Sequence, residues 1–431
     1  MRATPPLRFP PRHYLLAAAV CAGAMVLLVL MLATQQPWLG LRFAYDSEAG
    51  GARVSAAYRD STLTPGTLVT GIGGAEREME FQAMDFTVEP DGNLSTYADY
   101  EIFLQRQEQL YAIQSGTLVE LRTASGAVHR VVPDTHRPLF TLPPEFWVSL
   151  VVGVFAWLLS AAVWSFRPHD PSARYLLVSG LATLMFAPLA AIYTTRELAL
   201  PATLFRWLND LNFFGGNLYL AAMPALLWYY PRPLGRAAVG PWLIAAFLAW
   251  FALQQSGLIE SMIVGRRLSA LIALLLTAIF AVLQWRGTRR DPIARAALRW
   301  FLLAWIVGTA LFSILIFVPQ LYGVDTGPLQ GYSFLIFLLI YAGLALGILR
   351  YGLFGLGQWW SRILRWVVGV LLLVSLDLLF SLGLQLSSGM SLSLALLICG
   401  FVWLPLRSRL WHYLTGARSG STRDSFRKAV A

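Results

Sequence analysis

Residues 63–74 read LTPGTLVTGIGG, a Pro-Gly turn that feeds a short apolar strand and stops at a pair of glycines. This is the turn chemistry of a water-exposed, β-rich module. It sits in a chain that is 57% hydrophobic with a mean hydropathy of +0.59. The decisive question is therefore what a soluble module is doing inside a membrane protein.

The surrounding sequence fixes the class. Of 431 residues only 13% are charged, and apolar runs of about 18 residues or more recur along the chain, which marks transmembrane helices. The first run, 14–34 (YLLAAAVCAGAMVLLVLMLAT), follows Arg2, Arg8 and Arg12. It is longer than the apolar core of a signal peptide, and QQPWLG after it is a poor cleavage site, so it reads as an uncleaved anchor behind a cytoplasmic N-terminus at 1–13. Nine more apolar runs follow a polar stretch, at about 147–166, 175–194, 212–230, 238–255, 267–285, 298–318, 332–349, 363–384 and 390–406. The expectation is about ten spans, with residues 145–406 forming a nine-helix membrane domain.

Ten spans put both termini on one side, and cytoplasmic loops retain Lys and Arg. With the N-terminus in the cytoplasm, most of the 33 Lys and Arg residues fall on that side. They include Arg286, Arg289, Arg290, Arg295, Arg299 and the basic tail 407–431, while the opposite short loops keep Arg196, Arg206, Arg266 and Arg267. The net charge of +10 is then topology and gives no reason to expect nucleic acid as a partner. The expected setting is a membrane, with the lipid bilayer as the first partner and the polar stretch outside the cytoplasm.

That stretch, 39–133, reads as one α+β domain. ARVSAAY (52–58) alternates before the opening turn, and TLVTGIGG (67–74) is a second strand ended by glycines. In STYADYEIFLQRQEQLY (95–111), Thr96 is an N-cap candidate with Asp99 at N3, and Tyr100, Phe103, Leu104 and Tyr111 share one helical face. TLVELRT (117–123) and AVHRVVP (127–133) form a closing hairpin.

The order Leu39-Gly40-Leu41, ARVSAAY, LTPGTLVTGIGG, helix and hairpin resembles a bacterial PDZ domain, with Thr67 where that family usually has Asp and an insertion at 76–92 (EREMEFQAMDFTVEPDG). The fold class expected is thus a polytopic all-α membrane protein with an inserted extracytoplasmic PDZ-like domain. The resemblance implies a groove that takes an extended peptide or protein C-terminus as an added strand. Leu39, Gly40 and Leu41 would form its carboxylate loop, and Tyr100 and Leu104 its wall. The plainer reading of Leu41, Tyr100, Phe103 and Leu104 is core. Gly40 follows the first span by about six residues, so at roughly 3.3–3.6 Å per residue the loop lies within about 20 Å of the bilayer. It would meet ligands at the membrane surface or dock on outer loops of its own chain.

Catalytic motifs are missing from the sequence. It contains no HExxH, no GxSxG, no Walker A and no Rossmann glycine pattern. None of His13, His129, His136, His169 and His412 is central in a span, and Cys21 and Cys399 fall in apolar helices. No catalytic residue, metal site or cofactor is expected. One ionisable group lies well inside a span, Asp377, which is costly in lipid and therefore a candidate for intramembrane polar coupling. Asn209, Asp210, Asn212 and Asn217 beside Trp207 read either as an interfacial anchor or as the mouth of an external ligand site.

ILRYGLFGLGQWWSRILRWVVGVLLLVSLDLLF (348–380), followed by FVWLPLRSRLWHYL (401–414), resembles the last membrane segment of multi-pass bacterial sensor histidine kinases. Tyr351, Leu353, Phe354, Arg362, Pro405, Leu406, Arg407 and Leu410 match, while Gly355 and Gly357 replace acidic residues. The phosphoacceptor His box and the ATP-holding Asn and Gly boxes of such kinases are not present. The resemblance implies the sensory input region of a two-component system: a signal sensor that is itself no enzyme. Its expected partner is a cytoplasmic histidine kinase or signalling protein, or kinase domains missing from this sequence, with pairing into a homodimer a further expectation. The rival readings are a transporter and an envelope scaffold carrying an accessory peptide-binding domain.

Overall fold

The computed structural model describes residues 10–59, 63–75, 77–312, 315, 327–351, 373, 388–398 and 400. The chain divides into two compact units, Met1–Gly357 and Gln358–Ala431. Of the second unit, the helix Ser388–Ile398 is described. Asp377 and the matched positions from Leu353 to Leu410 lie outside the described residues.

The first unit is mostly helical with one small antiparallel sheet. Helix α1 (Pro11–Thr34) opens with proline in its first turn, where the missing N–H has no partner to lose. The sheet domain follows, and then α4 (Pro144–Phe166), α5 (Pro171–Thr194), α6 (Ala202–Tyr229), α7 (Val239–Gln255), α8 (Met262–Gly287), α9 (Pro292–Phe312) and α10 (Gly327–Tyr351). Among the described residues, α1, α4, α5 and α8 are long and apolar enough to cross a bilayer. By length and composition they mark a membrane protein. The apolar runs read from 147 to 285 and at 332–349 fall on α4 to α8 and α10, and the described part of the run at 298–318 falls on α9.

Small residues let these helices close on one another. A Cβ on Gly153 of α4 would come within 2.6 Å of the Pro188 ring of α5, and one on Gly180 of α5 within 2.5 Å of Ser160 of α4. Pro188 and Pro224 both lie inside continuous helices. Tyr341 of α10 ties into the same core, hydrogen-bonding Ser179 and Thr183 of α5 at 3.0 and 3.1 Å.

Strands β1 (Leu41–Asp46), β2 (Gly51–Ala57), β3 (Leu68–Gly73), β4 (Glu78–Glu80), β5 (Val119–Thr123) and β6 (Val128–Val131) make a sheet of order β1-β2-β3-β5-β6, with β4 also paired to β3. Every pairing is antiparallel. The Pro65-Gly66 turn enters β3 with Gly66 at φ 95°, the left-handed position a type II turn gives to glycine, and Thr67 N–H donates to Thr64 O at 3.1 Å. After the single-turn helix α2 (Pro90–Asn93), helix α3 (Tyr97–Gln114) starts at a complete capping box. Thr96 Oγ1 accepts from Asp99 N–H, and the Asp99 carboxylate accepts from Thr96 N–H. The domain is pinched shut at its base by paired main-chain bonds between Trp38 and Asp134, both 2.9 Å. Just beyond, Arg137 N–H donates to Thr34 O at the end of α1.

The helical connections alternate between two ends. Segments 195–201 and 256–261 meet the sheet domain, the second through a single bridge between Thr96 and Ser261. Away from the domain, Tyr14 of α1 meets Trp164 of α4, Tyr175 stacks on Tyr229, and Arg232 pairs with Asp291.

Candidate functional site

The residues before β1 build a receptor for a negative group. Gly40 takes φ +77°, and its carbonyl accepts from Tyr58 N–H at 2.8 Å. This left-handed kink just before β1 turns successive amide groups toward one point, as in a main-chain nest for an anion. At that point sits the carboxylate of Glu197, from the short connection between α5 and α6. Leu39 N–H donates to its Oε2 at 2.7 Å and Leu41 N–H to its Oε1 at 3.0 Å. Gly40 N–H pulls in the same direction, as does the Arg137 guanidinium.

The rest of the connection is held as firmly. Gln114, buried at the end of α3, donates to Pro37 O at 2.8 Å and to Glu197 Oε2 at 3.3 Å, while its Oε1 accepts from Ala199 N–H. Leu198 and Ala199 enter the apolar core of the sheet domain beside Leu39, Leu41, Leu110 and Ile113. Arg196, the preceding residue, donates to the carbonyls of Tyr193, Thr87, Asp85 and Leu198 and to Gln107 Oε1. Its guanidinium also lies 5.1 Å from the ring centre of Phe205. Residues 196–199 are therefore packed into the sheet domain although they connect two helices of the bundle.

The 76–92 insertion supplies the other half of this interface. Phe81 and Phe86 pack on Phe43 and Tyr45 of β1. Asp85, fully buried, is bound by Arg106 of α3 through two bonds of 2.6 and 2.8 Å. The insertion therefore bridges β1 and α3. Further along, Glu89 accepts from Tyr193 Oη at 2.9 Å. Asp91 pairs with Arg266 at 2.9 Å, and Arg266 also donates to Asn209 Oδ1 at 2.9 Å and stacks 4.2 Å from the Phe213 ring centre.

Burial sets the electrostatics outside the helices. It pushes the Glu197 carboxyl up to about 7, against the opposing pull of the Leu39, Leu41 and Gly40 amides and Arg137. The Glu89 carboxyl is also raised, first by burial and then by the neighbouring Asp91 charge.

Leu39, Leu41, Tyr100 and Leu104 are each 2% exposed or less, so none of them lines an open groove in this arrangement. Tyr100 stacks on Phe103, which meets Phe205 of α6 edge-on. Around Trp207 and Asp210 a pocket of about 380 Å³ opens, lined also by Leu211, Phe214, Phe251 and Gln255. Asn209 faces inward to Asp91 and Arg266, while Asn212 and Asn217 donate to the main-chain carbonyls of Phe186 and Phe213. Glu197, Arg196, Gln114, Asp85 and Glu89 were not singled out by sequence reading. The only local signal was a charged pair in a short loop between two apolar runs.

The carboxylates of Glu197, Asp85 and Asp91 are held by main-chain amides and guanidinium groups, and that of Glu89 by the Tyr193 hydroxyl. Among the described residues no cluster of three or more His, Cys, Asp or Glu side chains could hold a metal ion. Comparison of the chain with protein-family models, curated proteins and solved structures finds no match.

Proposed function

We propose that the chain is a signal transducer of a bacterial cytoplasmic membrane, the input module of a two-component-type system. In this reading about ten helices cross the bilayer, both termini are cytoplasmic, and a PDZ-like domain stands outside to detect an extracytoplasmic ligand. The cytoplasmic face then signals to a histidine kinase.

One observation carries the reading. The extramembrane domain does not hang from a linker: its amide loop at Leu39 and Leu41 grips Glu197 of the α5–α6 connection. A rearrangement at that loop must therefore move or release the ends of two bundle helices, which is what a transducer requires and an accessory recruitment domain does not. Sidedness is supported by the loops away from the domain, which carry Arg232, Arg236, Arg289 and Arg290.

The test compares cells with and without this chain for phosphorylation of their two-component proteins. The expected result is a changed phosphorylation level in at least one kinase and regulator pair. An unchanged pattern together with solute flux in proteoliposomes would replace the reading with transport, and an unchanged pattern without flux would leave an envelope scaffold.

A further inference from the structure

The carboxylate in the amide loop belongs to a flexible side chain, and everything the loop offers is satisfied by a bare carboxylate. Leu39 and Leu41 N–H each take one oxygen. No bond in the set recognises the Glu197 backbone. Gln114 serves both the anion and the connection, donating to Glu197 Oε2 at 3.3 Å and accepting from Ala199 N–H, whereas Leu198 and Ala199 fill the sheet core and Arg196 fastens the connection to the carbonyls of Asp85 and Thr87. Gln114 apart, recognition of the anion and retention of the loop are carried by different groups.

We propose that Leu39–Gly40–Leu41 is a carboxylate-receiving site whose resident ligand is the side chain of Glu197, so that the α5–α6 corner holds the extramembrane domain in a self-occupied state. Any other carboxylate reaching the loop, including that of a polypeptide C-terminus, must first displace Glu197. The internal ligand has the advantage of proximity, since a tethered group acts at an effective concentration in the millimolar range or above. Apparent affinity for an outside carboxylate is lowered by the fraction of molecules in which the loop is vacant. Displacement also removes the amide loop's share of the hold on the α5–α6 connection, while Arg196, Leu198 and Ala199 keep their own contacts. The inference deepens the transducer reading, but its test reads only the loop.

The full chain in lipid nanodiscs is examined by hydrogen exchange at the Leu39 and Leu41 amides. Replacing Glu197 by alanine removes the equivalent of one acetate ion, so acetate is the matched probe, with acetamide and chloride as controls at equal concentration. In Glu197→Ala both amides should exchange at least about tenfold faster than in the native chain, and acetate in the tens to hundreds of millimolar range should restore protection while acetamide and chloride do not. Amides that stay protected in the variant would overturn the proposal. So would equal restoration by acetate and acetamide, or restoration by neither in a folded variant. If Glu197→Ala does not fold, Glu197→Gln decides the matter: it keeps the shape but presents an NH2 where an acceptor is needed, and exchange should rise several-fold. Native protection in Glu197→Gln would show that no carboxylate is required. A null result for phosphorylation in cells would leave this test untouched, and failure here would leave the phosphorylation result untouched.

Discussion

At Gly40 a single backbone angle decides whether the amide loop exists. The residue holds φ +77°, and a Cβ there would come within 2.7 and 2.9 Å of the Arg59 side chain. Arg59 can swing away, but the left-handed conformation remains costly for any side chain, by about 1–2 kcal/mol. Gly40→Ala should therefore lower stability by that amount and loosen the grip on Glu197. Thermal unfolding of the purified chain measures the first effect, and amide exchange at Leu41 the second. Asp85 poses a harsher case, because it is completely buried and its charge is met by Arg106. Arg106→Ala would strand that carboxylate, at a cost of roughly 3–5 kcal/mol. Replacing both by apolar residues should recover much of the loss. A double-mutant cycle by thermal melting would check this, and additive effects of the two single changes would sink the idea.

Among the elements, those announced by local chemistry were legible in the sequence. The Thr96 cap with Asp99 three residues on, the Pro65-Gly66 turn and the 124–126 hairpin all involve residues adjacent in the chain, and each recurs in the structure. Strand β1 carries a weaker signal, since its charged ends Arg42 and Asp46 break the apolar run. The α5–α6 connection was illegible as a site. Glu197 meets amides more than 150 positions away in sequence, and a lone acidic residue in a loop has no periodicity to betray it. The 76–92 insertion was visible as a departure from the PDZ pattern, but its role between β1 and α3 depends on aromatic and ionic contacts that spacing does not encode.

This connection also predicts a response to pH. The folded state raises the Glu197 carboxyl from an ordinary 4.5 to about 7 by burial. Between those values the folded chain keeps a proton that the unfolded chain has released. Stability should therefore fall as the pH rises from about 4.5 to about 7, with the Glu89 carboxyl, also raised, adding in the same direction. Melting temperature against pH measures this, and Glu197→Gln should flatten part of the slope. A stability that climbs over the same interval would contradict the assignment.

On the scale of the whole molecule, the domain meets the bundle at many places, the ion pairs Arg206–Glu101 and Arg266–Asp91 and the Tyr193–Glu89 hydrogen bond among them. Main-chain bonds join Trp38 to Asp134 at the neck, residues 196–199 enter the domain core, and Thr96 pairs with Ser261. The last contact is formed by Tyr97 N–H donating to Glu260 O and Met262 N–H to Ser95 O. Cysteines at positions 96 and 261 face each other across a bridged pair, a spacing compatible with a disulfide. Mild oxidation of the Thr96→Cys, Ser261→Cys chain should give a faster-migrating band on a non-reducing gel, and its absence would argue that the domain and the α7–α8 connection separate in the membrane.

The neck, the corner and the bridge have a kinematic consequence. A body fastened at three points that are not in line can neither slide nor turn, whereas one fastened at two can still rotate about the line between them. With Glu197 seated, the domain is in the first condition. The Glu89–Tyr193, Asp91–Arg266 and Glu101–Arg206 contacts add further fixed points, so the domain and the heads of α6 and α8 shift as one body whether or not Glu197 is seated.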